Sequence, residues 1–211
     1  MAESISKAVL ITGCSTGIGR ATAERLASRG WNVYATARNA ESIADLASRG
    51  CKTLALDVCD EASMRAAVLA VQLAEGAVGV LINNAGYGLE GAFEEVPMTD
   101  IRRQFETNVF GLIAMTKLVL PAMRRQRWGR IIGISSMMGR SSNPGIPAYV
   151  ASKWGVIGLC KSVAFELAAF GVTVNAVAPG NVSTPMIHND TLYGLMRPDL
   201  STPPARTSNR A

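Results

Sequence analysis

Six short apolar runs, Lys7 to Thr12, Val33 to Thr36, Thr53 to Leu56, Val80 to Ile82, Arg130 to Ile134 and Val172 to Val177, alternate along the chain with segments of helical pattern. The runs are apolar on both faces, the pattern of strands in a parallel sheet covered by helices on each side. The alternation therefore predicts an α/β fold. At 211 residues the chain is long enough for one domain with a real core and short for two. We expect a single domain over residues 1–200, with a site loop at 179–200, and a loose tail over 201–211, where the composition shifts to Ser, Thr, Pro, Asn and Arg.

Composition narrows the function classes. The start, Met1 to Lys7, is short and polar, and no apolar stretch approaches the roughly 18 residues of a membrane span, so a soluble, unsecreted, cytoplasmic protein is expected. Cys14, Cys51, Cys59 and Cys160 lack CxxC spacing and suggest reduced thiols, not staples or zinc ligands. His188 is the only histidine, which argues against a His-based triad or a multi-histidine metal site; no metal is expected. The net charge of +5 suits an anionic ligand but is mild for nucleic acid, and no aromatic binding pattern accompanies the basic residues. Arg124, Arg125, Arg127 and Arg130 cluster where a long helix should end, and read as a solvated cap.

Tyr149 and Lys153 are four residues apart and share a helix face. A cation beside a phenol favours the phenolate, lowers the tyrosine pKa from about 10 and makes a general acid/base. The stripe continues through Val156, Cys160 and Val163, so Lys153 should point inward. Taken alone, the pair is equally a first-turn tyrosine after Pro147 with a lysine snorkelling past it.

Thr12-Gly13-Cys14-Ser15-Thr16-Gly17-Ile18-Gly19 links the first strand to the first helix, predicted from about Ile18 to Arg29. Glycines there let backbone approach a ligand, and the free N–H groups of the helix start attract a diphosphate. About twenty residues on, where a ribose 2′-OH calls for an acidic group, stands Arg38; it suits a 2′-phosphate, or is an exposed loop arginine. Asp57, beside Val58 at the end of the third strand, could accept an adenine amino group or cap a helix. Ser136 follows an apolar strand at the carboxyl edge of the sheet, with Ser135 as an ambiguous neighbour. Asn108 lies on the stripe Ile101, Phe105, Leu112 and Met115; a buried amide there needs partners, which an ordered water would supply, and a purely structural asparagine is the alternative.

Together, Thr12-Gly13, Gly17-Ile18-Gly19, Asn83-Asn84-Ala85-Gly86, Asn108, Ser136, Tyr149, Lys153 and Pro179-Gly180 resemble the short-chain dehydrogenase/reductase family, in its order and spacing, from about Lys7 to Met186. The resemblance implies a Rossmann-type doubly wound parallel sheet in three layers. It implies hydride transfer between a nicotinamide and an alcohol or carbonyl carbon. Tyr149 would be proton donor or acceptor and Ser136 would hydrogen-bond the substrate oxygen. Lys153 would lower the tyrosine pKa and hold the nicotinamide ribose, and Asn108 would keep a helix bent around a water linked to that lysine. The cofactor would lie along Gly13, Ser15, Thr16, Gly17, Ile18, Gly19, Arg38, Asp57, Val58, Asn84, Ala85, Gly86, Tyr149, Lys153, Pro179, Gly180, Val182 and Thr184, with Thr184 meeting the carboxamide. Arg38 favours NADP(H), with NAD(H) as the alternative.

Met186-Ile187-His188-Asn189-Asp190 and Arg197-Pro198-Asp199-Leu200 look similar to the carveol-dehydrogenase-like, mycofactocin-associated branch, whereas the front half looks more like NADP-dependent hydroxysteroid- or retinol-dehydrogenase relatives. Ser136, Met138, Tyr149 and Met186 are the expected substrate contacts. Leu89, Phe93, Met137, Ile187 and Leu192 are further candidates for an apolar pocket holding a small alcohol or ketone. The family continues past this loop with a helix and a seventh strand. No strand-like run follows Met186, so the last helix and strand are expected to be missing and the edge of Val172 to Val177 uncovered. Two readings follow: an NADP(H)-dependent oxidoreductase, or a truncated, catalytically silent nucleotide-binding or interaction protein. No nucleic-acid or membrane partner is expected; the two long helices leave a homodimer open.

Overall fold

The computed structural model describes residues 5–188. The 201–211 tail, Leu192, the 197–200 segment and the end of the site loop from Asn189 onward lie outside the described residues. Six parallel strands, β1 (Val9–Ile11), β2 (Val33–Ala37), β3 (Cys51–Ala55), β4 (Val80–Asn83), β5 (Gly129–Ile134) and β6 (Val172–Val177), form one sheet in the order β3-β2-β1-β4-β5-β6. Each strand lies within a residue or two of its expected run. That order is the doubly wound Rossmann arrangement, with its switch point between β1 and β4.

The strands are apolar on both faces because the sheet separates two cores. In β1, Val9 and Ile11 pack with Val33, Ile43, Leu46 and Ile82 under α1 (Gly17–Ala27) and a 3₁₀ segment (Ala40–Arg49). Leu10 points the other way, to Val68, Leu81, Met115, Ile131 and Val156. Leu81 and Ile131 come from the neighbouring strands, and Val68, Met115 and Val156 from α2 (Glu61–Glu75), α4 (Gly111–Arg125) and α5 (Pro147–Leu167). Each such buried side chain contributes about 1.5–3 kcal/mol.

Two connections bear on the site. A helix, α3 (Met98–Phe105), runs into α4 through a π turn at Glu106–Phe110 that carries Asn108. The extra residue bends the path and turns Asn108 into the core, where it is 2 % exposed. Among the described residues β6 has β5 as its one neighbour.

The arginine cluster is more engaged than a solvated cap. Arg124 stacks on Phe170 (4.0 Å to the ring centre) and Arg130 on Trp128 (4.6 Å), while Arg127 donates to Ala169 O. The Arg124 and Arg127 contacts tie the end of α4 to the turn before β6.

Candidate active site

A cleft of about 650 Å³ opens at the carboxyl ends of the strands, across the β1/β4 switch point. At one end, Gly13 (φ 72°) and Gly17 (φ 60°) take left-handed backbone between β1 and α1. Side chains cap the 3₁₀ segment after β2 (Asn39) and α2 (Asp60), but α1 begins with no side-chain cap, and Ser15, Thr16, Gly17 and Ile18 face the cleft. Uncapped N–H groups beside open space make an anion site. Asn84 fixes the turn, its Nδ2 donating to Thr12 O and Gly13 O, both at 2.9 Å. Gly19 faces this amide and not the cleft: a Cβ there would lie 2.4 Å from Asn84 Nδ2 and from Gly13 O.

Farther along this end, Arg38 is exposed, lines the cleft and makes no ion pair among the described residues. Asp57 and Val58 line it too. The helix cap is Asp60; Asp57 Oδ1 instead accepts from Cys59 N at 2.9 Å, which closes a local turn. Thr184, expected against the carboxamide, stands over the glycine turn, its methyl 3.3 Å from where a Gly17 Cβ would be.

At the opposite end stand Ser136, Tyr149 and Lys153. Ser136 caps the short turn Met137–Gly139, its Oγ accepting from Met138 N at 3.1 Å, and it lines the cleft beside Tyr149. The neighbour ambiguity is resolved by burial: Ser135 is 4 % exposed and its Oγ donates to Lys153 O at 2.8 Å. Lys153 Nζ lies 5.6 Å from the Tyr149 ring centre and donates to Ile134 O at 2.9 Å. Burial pulls the lysine down to about 8.

The tyrosine corrects an expectation. Burial pushes its phenol above the ordinary value, with the hydrogen bond from Ser136 working the other way. The Lys153 ammonium donates to a main-chain carbonyl and lies 5.6 Å from the ring centre, so burial prevails at the phenol.

Asn108 does not line the cleft but braces it. Its Oδ1 accepts from Tyr87 N (3.1 Å), and its Nδ2 donates to Tyr87 O (3.0 Å) and Ser152 Oγ (3.2 Å). Gly86 keeps the space before it open: a Cβ there would lie 3.0 Å from Asn108 Oδ1 and 3.5 Å from Lys153 Nζ.

Ala85, Pro179, Gly180 and Val182 line the cleft as expected, as do Met137, Met138, Met186 and Ile187. Leu89 and Phe93 do not; Phe93 is 78 % exposed, because the loop after Gly88 turns outward and is pinned by Gly91 N to Gly145 O. Of the carveol-dehydrogenase-like segments, residues 186–188 are described and the rest lie outside. Sequence reasoning missed Gln104, fully buried and donating to Tyr87 O at 3.1 Å, a polar residue on a face read from its apolar members. Among the described residues no cluster of three His, Cys, Asp or Glu could hold a metal ion, and no helix is long and apolar enough to cross a membrane.

A family model described as short chain dehydrogenase matches residues 7–192. The chain belongs to the short-chain dehydrogenase family. It is 40 % identical over 183 residues to the 3-oxoacyl-[acyl-carrier-protein] reductase FabG of Escherichia coli, covering 85 % of this chain and 75 % of that one. It is 38 % identical over 184 residues to oxidoreductase BOA17 of Botryotinia fuckeliana, covering 85 % and 67 %. A solved short-chain dehydrogenase from Streptomyces avermitilis superposes with a TM-score of 0.83 at 34 % identity, over 93 % of this chain and 77 % of that one. The chain is thus an oxidoreductase of the short-chain dehydrogenase family, which works with nicotinamide cofactors. The glycine turn that lines the cleft and the uncapped start of α1 fit such a dinucleotide.

Proposed function

We propose that the chain is an NADP(H)-dependent alcohol dehydrogenase or carbonyl reductase acting on a small apolar substrate. One observation carries this reading: a single cleft joins the uncapped start of α1 and Arg38 at one end to Ser136, Tyr149 and Lys153 at the other. The main-chain N–H groups of residues 15–18 hold the diphosphate, and Arg38 pairs with the 2′-phosphate. Asp57 and Val58 border the adenine; Asn84, Ala85 and Gly86 form the floor; Pro179, Gly180, Val182 and Thr184 close over it.

The bound nicotinamide supplies or accepts a hydride. Tyr149 gives the proton to the carbonyl oxygen in reduction, and the Ser136 hydroxyl donates a second hydrogen bond that stabilises the developing alkoxide. Burial keeps the resting phenol protonated, the state reduction requires. Lys153 has one N–H on Ile134 O and two more for the ribose hydroxyls. Asn108 holds the Tyr87 backbone and α5 in register. Met137, Met138, Ile146, Met186 and Ile187 make the substrate end apolar and suit a secondary alcohol or ketone, in line with the carveol-dehydrogenase-like look of residues 186–188. The reductase name of the Escherichia coli relative supports carbonyl reduction.

A second reading, a catalytically silent nucleotide-binding or interaction protein, is favoured by the bare β6 edge among the described residues. Thermal unfolding with NADPH and with NADH tests the cofactor. At about a hundredfold excess over Kd, NADPH should add about 2.7 kcal/mol, or roughly 5–10 °C, and NADH less. A larger shift with NADH refutes the NADP assignment. Stabilisation without turnover of any ketone supports the silent reading.

A further inference from the structure

The end of β5 holds Lys153 twice. Ile134 O accepts from its Nζ at 2.9 Å, and the next residue, Ser135, donates from Oγ to its main-chain carbonyl at 2.8 Å. Ser135 N in turn donates to Val177 O at 2.8 Å, which anchors the serine to β6. The Ser135 hydroxyl therefore joins the sheet to the second turn of α5, one helical turn beyond Tyr149.

Gly139 completes the contact. It ends the turn that carries Ser136, and its N–H donates to Ser136 O at 2.9 Å. A Cβ at Gly139 would lie 2.6 Å from Ser135 Oγ and 2.8 Å from both Lys153 O and Ile157 Cδ1. Its φ is not left-handed, so what demands glycine is space. The turn bearing Ser136 thus seats directly on α5 at Lys153.

Resting on the dehydrogenase reading above, we propose that Ser135, together with Gly139, is a positioning residue. Its hydroxyl fixes the Lys153 main chain against the end of β5 and so sets the separation of Ser136 from Tyr149. A serine that merely satisfied a buried carbonyl would contribute to folding alone. The Lys153 carbonyl already lies within a regular helix and does not depend on the extra donor.

The test is steady-state kinetics with NADPH and whichever of a panel of aliphatic and aryl ketones the wild-type chain reduces fastest. Ser135→Ala is expected to lower kcat about 10- to 100-fold through misplacement of the acid. The ketone KM and the NADPH Kd should change little, the pH profile of kcat should shift, and Ser135→Thr should recover most of the loss by restoring the hydroxyl. Wild-type kcat and pH profile in Ser135→Ala, whatever its thermal stability, overturn the proposal, as do equal losses in the Ala and Thr variants. Should Ser135→Ala not fold, Gly139→Ala is read the same way: reduced kcat with NADPH binding retained supports the proposal, and wild-type kcat overturns it. Tyr149→Phe runs in parallel. Turnover in that variant, or no ketone reduced by the wild type, defeats the underlying reading and this proposal with it, a pattern no Ser135 result imitates.

Discussion

At one end of the cleft the ligand-facing groups are main-chain N–H groups and an exposed arginine; at the other, Ser136, Tyr149 and Lys153 stand on a framework of side chains withdrawn from water. Lys153 is 5 % exposed, Ser135 4 % and Asn108 2 %. Each is held by protein partners from two or more elements. An anion is held well by backbone donors and mobile charge at a solvent boundary. Moving a proton demands a group whose titration is set by burial and whose position does not drift. The same fold therefore builds a tolerant end and an exacting end, and substitutions should separate them.

The largest separation belongs to Tyr149→Phe, which removes the phenolic proton and little volume. Turnover should fall about a thousandfold or more, while NADPH still raises the unfolding temperature as in the wild type. Turnover within tenfold of wild type would strip Tyr149 of its acid/base role. Equal loss of NADPH binding would mean that the two ends are not separable.

Lys153→Met comes next and shows the exacting end straining the fold. Burial moves the lysine from 10.5 to about 8; at about 1.4 kcal/mol per tenfold change in proton affinity, the buried charge costs on the order of 3 kcal/mol near neutral pH. Between those values the unfolded chain holds more protons than the folded one, so the wild type gains stability as pH rises from about 8 to 10.5. Methionine carries no such cost, but leaves Ile134 O without its donor, a loss of about 1 kcal/mol. The variant should be inactive and more stable at pH 7, its advantage shrinking toward pH 10.5. Denaturant unfolding at pH 7 and pH 10 checks this, and since Tyr149 and Cys14 are present in both proteins their own titrations largely drop out of the difference. A variant advantage that does not change with pH would mean that burial leaves the lysine's proton affinity as it is in the unfolded chain.

How well each end could be read beforehand follows from the same contrast. Strand order, the glycine turn and the residues lining the cleft follow from local pattern, because a doubly wound sheet leaves one place for a βα turn to face a ligand. Asn108, Ser136, Tyr149 and Lys153 were legible as a spaced set. What joins them was not. Gln104, Ser135 and Gly139 act through contacts between elements far apart in sequence, and nothing local tells a buried serine from its cleft-facing neighbour. Nor does spacing say where a lysine's charge points. The Tyr149–Lys153 interval implied a cation at the phenol, yet the nearest strong acceptor to Nζ is Ile134 O. Residues Leu89 and Phe93 are apolar enough for a pocket wall, but a loop hydrogen bond from Gly91 to Gly145 turns them away.

The smallest effect should come from the tolerant end. Arg38 is exposed, so its attraction to a 2′-phosphate is screened by water and salt and should amount to about 1–2 kcal/mol, or roughly tenfold in Kd. Arg38→Leu is expected to weaken NADPH about tenfold and leave NADH nearly unchanged, since NADH carries no group for the guanidinium to meet. The wild-type preference should also shrink as ionic strength rises, while the variant's affinities respond less, because the screened pair is gone. Titration of both nucleotides at low and high salt reads four affinities for each protein. Equal weakening of NADPH and NADH would show Arg38 shaping the turn after β2 instead of reading the phosphate. An unchanged NADPH affinity would show that Arg38 does not read the phosphate and would leave it to the N–H groups of residues 15–18 and the Ser15 and Thr16 side chains that line the cleft with them.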